Sequence, residues 1–252
     1  LTFEILTNGT IGWKSYDDTC QKTISYSIND GTWTEITATS AGVTIPVSTG
    51  DKVRFKGENS NYALSNTSYS GFGNVGTSTY NVYGNIMSLI YGDNFEDQLT
   101  LTTDYAFCCL FDGGNVVSAE NLVLPPMSLT KHCYRALFAN CSNLTTAPTE
   151  LPATTIAESC YRFMFSADPL LTSIPSILPA TTMQKECYYG MFNGCSSITT
   201  APELPAPTLT TSCYKQMFLN CSHLNYIKCL ATNISSGSPT TSWVSGVAST
   251  GS

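Results

Sequence analysis

A chain of 252 residues with 42 % apolar residues is long enough to bury a core, which excludes a disordered chain. Only 12 % of residues are charged, the net charge is −7 and no Lys/Arg run occurs, which argues against nucleic acid or an anionic membrane as partner. No apolar stretch approaches the roughly 18 residues that span a bilayer, so no transmembrane segment is expected in this chain.

Ser, Thr, Asn and Gly replace the missing charges. That composition suits extracellular β-rich or repeat proteins, and an extracellular or cell-surface location is expected. The chain opens on LTFEIL with no basic and apolar leader, so a signal or lipoprotein anchor is expected to be absent or removed.

Residues 1–98 are predicted to form an Ig-like antiparallel β-sandwich. TISYSI (23–28) alternates, with Ile24, Tyr26 and Ile28 on one face. Asn29, Asp30 and Gly31 supply a hairpin turn, and Trp33 and Ile36 follow in the next strand. In KVRFKG (52–57), Val53 and Phe55 face inward while Lys52, Arg54 and Lys56 face water. Residues 79–91 close the region. GFGNVG (71–76) matches a dinucleotide fingerprint in form, but its flanks are strand and loop. It reads as a glycine-rich connection. Asp93, Glu96 and Asp97 lack the spacing of a calcium loop and read as a solvated turn. Trp13, Trp33 and Tyr16 are the residues best suited to stack on a sugar, set against core roles for the two tryptophans.

Residues 99–235 repeat. Phe111, Phe138, Phe165, Phe192 and Phe218 lie 27, 27, 27 and 26 residues apart. Six residues after each comes an aliphatic side chain: Val117, Leu144, Leu171, Ile198, Leu224. Leu-Pro pairs follow at 124, 151, 178 and 204. A fixed period with fixed apolar columns predicts stacked coils that share one core. Cys133, Leu137, Phe138 and Cys141 are spaced as one face of a short helix, with Thr130, Thr155 or Ser159 at the N-terminal end of such helices. The unit is therefore predicted as strand, turn, short helix, turn. Residues 236–252 read as a loop-like C-terminal cap or tail anchored by Trp243, and the stop at Gly251-Ser252 as a trimmed or disordered end.

Met191-Phe192, Cys195 and Ile198, and Met217-Phe218, Cys221, Leu224 and Ile227, carry a resemblance. The pattern resembles the BspA-like leucine-rich repeats of bacterial surface proteins and covers about half the chain. A β region followed by such repeats looks like the layout of adhesion proteins from gut Bacteroidetes and their phages. Ala106, Gly114 and Asp168 depart from the cysteine columns, and the first unit reads as a divergent cap. The resemblance implies an α+β multi-domain chain: the antiparallel sandwich, then a short α/β leucine-rich-repeat solenoid. It implies a non-enzymatic extracellular binding or adhesion protein with an unknown protein or glycan ligand. Alternatives are a phage tail or capsid-decoration protein at the virion surface, and a carbohydrate-binding accessory module.

The eleven cysteines are an odd number, and those in the repeats read as small buried side chains. Cys20 reads as an exposed thiol. No zinc spacing, nucleophile-base motif or carboxylate signature is present, so no metal, cofactor or catalytic residue is expected. His132 and His223 read as surface residues at variable positions. The binding residues expected on the repeats are the tyrosine column Tyr134, Tyr161, Tyr188 and Tyr214 with its neighbours Arg135, Arg162, Tyr189 and Lys215. Packing is the competing role for the tyrosines.

Overall fold

The computed structural model describes every residue except Pro126, Ser236 and Ser252. Ser236 and Ser252 bound the segment expected to form a cap or tail, and what the sequence leads one to expect of them lies outside the described residues.

The strands are β1 (Thr2–Ile5), β2 (Gly9–Ser15), β3 (Thr23–Ile28), β4 (Thr34–Thr37), β5 (Val43–Val47), β6 (Lys52–Lys56), β7 (Ser70–Gly71), β8 (Tyr80–Asn85), β9 (Val116–Ser118) and β10 (Leu122–Val123). The larger sheet runs β10-β8-β1-β6-β3-β4, and β9 also pairs with β8. A smaller antiparallel sheet runs β5-β2-β7. Period-two alternation turns Phe3, Ile5, Val53 and Phe55 into the core and leaves Lys52 and Arg54 outside. Phe72 packs on Phe3, Phe55, Trp13 and Phe111, so one aromatic cluster joins both sheets to the first repeat.

The expected antiparallel sandwich followed by an α/β leucine-rich-repeat solenoid is overturned. The larger sheet is mixed, because β9 and β10 run parallel to β8, and both come from residues beyond 98. Among the described residues, helix is confined to α1 (Ser88–Tyr91) and one 3-10 turn (Gly92–Asn94). The described residues of the repeats contain no helix, and apart from β9 and β10 in the first unit their expected strands shrink to single parallel bridges such as Ser118 to Thr146 and Thr146 to Ser173.

What replaces the helix is a ribbon of turns. From His132 to Asn140, alternate backbone N–H groups donate to the next coil: His132 to Glu158, Tyr134 to Cys160, Ala136 to Arg162, Phe138 to Met164, Asn140 to Ser166. The N–H groups between them donate three residues back, as Arg135 does to His132 and Leu137 to Tyr134. Every fourth residue is left-handed: His132, Ala136 and Asn140, then Ser159, Phe163 and Ala167, then Glu186, Gly190 and Gly194. A left-handed residue with a side chain is disfavoured in isolation. The lateral hydrogen bonds offset it, and each needs the neighbouring coil in place. Thr130 therefore caps nothing; its hydroxyl donates to the Thr103 carbonyl one coil away.

The coils stack through two aromatic ladders. Phe111, Phe138, Phe165, Phe192 and Phe218 follow at 5.0, 5.7, 5.6 and 5.8 Å between ring centroids. Phe107, Tyr134, Tyr161, Tyr188 and Tyr214 follow at 5.8, 5.8, 5.5 and 6.0 Å. Trp243 lies over both Tyr214 and Phe218. Its segment is not loop-like: Tyr214, Gln216, Phe218 and Asn220 donate to Pro239, Thr241, Trp243 and Ser245, which extends the turn ribbon by one coil. At the other end the GFGNVG loop lies flat against the first coil. A Cβ at Gly73 would sit 1.7 Å from the Asp112 carbonyl oxygen, so glycine here serves close packing.

Ten of the eleven cysteines are buried, Cys229 is half-buried, and all are free thiols. Cys20 corrects the expectation: it is 1 % exposed, with its thiol toward the Tyr62 carbonyl. Burial holds the thiols of Cys141, Cys160, Cys187 and Cys195 well above their ordinary range and that of Cys221 at about 12. The thiolate is the reactive form. Native protein at pH 8 is therefore expected to label at Cys229 within minutes and at the other ten only over hours, and all eleven are expected to label in denaturant without reductant. Fast native labelling of several thiols, counted by mass spectrometry, would contradict the packing.

Candidate binding surface

The tyrosine column offered by the sequence as a recognition face is internal. Tyr134, Tyr161, Tyr188 and Tyr214 are each 1 % exposed and stack on one another inside the coils. Their neighbours Arg135, Arg162, Tyr189 and Lys215 point the other way and are half-buried at the outer side of the turn ribbon. The turn geometry explains the split. Two consecutive residues in each four-residue turn face inward, and the following two face out.

Register brings the outward residues of successive coils together. Tyr105 stacks on His132 at 4.5 Å. The Arg135 guanidinium lies 5.6 Å from the Phe163 ring, and that of Arg162 lies 5.1 Å from Phe163 and 4.4 Å from Tyr189. Lys215 Nζ sits 5.3 Å from Tyr189. Gly190, itself left-handed, leaves the space that Phe163 fills; a Cβ there would meet the ring at 2.3 Å. Beside this row Lys131 and Lys185 flank Glu158 at 3.6 and 2.9 Å, and Arg162 pairs with Glu186.

The surface is therefore an alternation of aromatic rings and cations, each held against the next. Lys131, Arg135, Arg162, Lys185 and Lys215 all belong to it, against Asp104, Glu158 and Glu186, in a chain whose net charge is −7. Hydrogen bonding from Lys185 holds the Glu158 carboxyl below its usual range, so this carboxylate stays ionised beside its two lysines. Burial lowers the His132 pKa, so the imidazole adds no charge at neutral pH. Arg135 Nε and Nη1 and Arg162 Nε are covered and make no hydrogen bond; the rings of Phe163 and Tyr189 take their place.

Sequence reasoning singled out Arg135, Arg162, Tyr189 and Lys215 but not Phe163, His132, Tyr105 or the Lys131–Glu158–Lys185 chain. Those cations are scattered along the sequence and converge only when the repeats are aligned on their phenylalanines. Trp13 is buried, with its ring nitrogen donating to the Lys22 carbonyl, and Tyr16 stacks on Tyr69 at 4.1 Å. Trp33 is exposed, against the core role expected for it. No group of three metal-ligating side chains and no helix long and apolar enough to cross a membrane occurs among the described residues. Comparison with protein-family models, with curated proteins and with solved structures gave no match for this chain.

Proposed function

We propose that the chain is a non-enzymatic extracellular recognition protein whose binding surface is the outer side of the turn ribbon. The observation that supports this is the unbroken contact row from Arg135 through Phe163, Arg162 and Tyr189 to Lys215. Aromatic residues and arginine are the side chains enriched in protein interfaces and their energetic centres. Here they are pre-packed, so little side-chain entropy remains to be lost on binding. Five coils at the usual inter-strand spacing make a strip about 20 Å long, an extent that fits a protein surface better than a small molecule. The excess of cations fits an acidic patch on that partner.

The test is an array of secreted and cell-surface proteins probed with wild type and with the R135A/R162A double variant. Hits are expected to weaken at least about tenfold in the variant and to lose affinity with added salt. Hits that ignore both changes would place recognition elsewhere on the molecule.

A further inference from the structure

A second surface lies on the outer face of the larger sheet, far from the ribbon in sequence and built from different chemistry. Strands β6, β3 and β4 run side by side there. Lys56, Ser25 and Glu35 share one cross-strand row, and Arg54 and Ser27 share the next, which Trp33 continues from the β3–β4 turn. The central strand contributes the small hydroxyl side chains of Thr23 and Ser25, while its neighbours contribute long ones; Ser27 is covered, its hydroxyl donating to the Gly31 carbonyl. A low floor between tall walls is a trough. Its volume is about 600 Å³, within the usual range of small-ligand sites.

Trp33 stands at the rim, 36 % exposed. Two cations support the ring: Lys56 Nζ at 4.4 Å and the Arg54 guanidinium at 5.5 Å. Both are themselves tethered, Lys56 to Asp93 at 2.6 Å and Arg54 to Asp30 at 2.8 Å. The indole is thus a braced platform, and a ligand that lands on it has little freedom left to quench. The rest of the lining is rich in acceptors: Glu35, Glu58 and Asp93 carry carboxylates, and Asn59 adds an amide anchored to the Thr23 carbonyl at 2.7 Å.

We infer that this trough binds a neutral oligosaccharide. Three carboxylates against one lysine in the lining repel anions. A pyranose has what the trough lacks: an apolar face of C–H groups for the indole and several hydroxyl donors for the carboxylates. A cation could also satisfy the carboxylates, but Lys56 already neutralises Asp93, which leaves Glu35 and Glu58 to accept from hydroxyls. This site is independent of the ribbon, so the chain would carry two recognition surfaces.

The experiment is saturation-transfer NMR and tryptophan-fluorescence titration of the whole chain with hexasaccharides of β-1,4-glucose, β-1,4-xylose and α-1,6-mannose, and with tetramethylammonium as the cation probe. At least one hexasaccharide is expected to bind. Trp33→Ala is expected to weaken it about tenfold, the loss of one aromatic stacking platform. Trp33→Phe should restore most of the affinity, and R135A/R162A should leave it unchanged. Trp33 lies on the surface, and circular dichroism confirms that the variants fold. The inference is overturned if none of the sugars binds, if Trp33→Ala binds as well as wild type, or if tetramethylammonium binds in their place.

Discussion

Phe165→Ala is expected to destabilise the fold by about 3–5 kcal/mol, the usual cost of deleting a buried phenyl ring. Phe165 is fully buried in the middle of its ladder, 5.7 Å from Phe138 and 5.6 Å from Phe192. Its backbone N–H also donates to the Met191 carbonyl, so the ring and the lateral hydrogen bond act at the same coil boundary. Because each coil contacts only its neighbours, a gap there weakens the coupling between the coils on either side. A loss of that size is comparable to the whole stability of many domains. Urea denaturation followed by circular dichroism measures it. Leu170→Ala is the control: that side chain is 51 % exposed five residues away and should change stability by less than about 0.5 kcal/mol. A Phe165 variant that costs under about 1 kcal/mol would mean the ladder contributes little beyond its shape.

Asp168→Asn is expected to stabilise the protein at neutral pH, by about 1.4 kcal/mol for each pH unit above about 4 over which the folded carboxyl stays protonated. In three of the other four coils the equivalent side chain is a cysteine whose thiol donates to a phenylalanine carbonyl of the preceding coil, and in the first coil it is Gly114. Cys141 donates to Phe111 at 3.1 Å, Cys195 to Phe165 at 2.9 Å and Cys221 to Phe192 at 3.0 Å. Asp168 is 0 % exposed; one oxygen accepts from the Cys141 N–H at 2.8 Å and the other has no partner. Burial pushes its carboxyl well above the ordinary range, which the Cys141 N–H only partly opposes. The sign follows. The unfolded chain releases this proton at about pH 4, whereas the folded chain keeps it to higher pH. Stability from this group is therefore greatest below pH 4 and declines as pH rises through the folded pKa. Asn keeps the acceptor for Cys141 and does not titrate. Its advantage over wild type should grow from pH 4 to pH 8, and the difference between the two proteins isolates this carboxyl from the other titrating groups. Equal stability of the two proteins across that range, by urea denaturation, would show that the acid is satisfied in solution.

The repeat period, the phenylalanine column and the burial of the cysteines could be read from the sequence because each depends only on which residue type recurs. The helix could not. Cys133, Leu137 and Cys141 fall on one face of a helix with 3.6 residues per turn, and equally on one face of a ribbon with a left-handed residue every four. Apolar spacing does not separate the two over eight residues. The discriminating signal lies elsewhere, two residues after each phenylalanine, where Gly113, Asn140, Gly194 and Asn220 stand. Glycine and asparagine tolerate the left-handed region, and in a helix interior they would be liabilities. Ala167, at the same position in the third unit, hides the rule. The surface proposed for binding was half legible. Arg135 and Lys215 stand out because they vary where their neighbours do not. Phe163 does not, because its role rests on Gly190 one coil away, and only three-dimensional register connects them.

The direction of the hydrogen bonds in the turn ribbon has a mechanical consequence. They run along the stacking axis and cross each coil boundary as a row: five from residues 132–140 into the next coil, for example. A pull along that axis loads the whole row of one boundary at once, together with the two aromatic contacts that share it. A pull across the axis instead slides planar rings past one another and strains the same bonds obliquely. The β9 and β10 strands fix the first coil to the larger sheet. A load applied at the ribbon therefore pulls sideways on a column rooted at one end. Such a column bends by distributing small shears over many equal boundaries, and no single hinge has to give way.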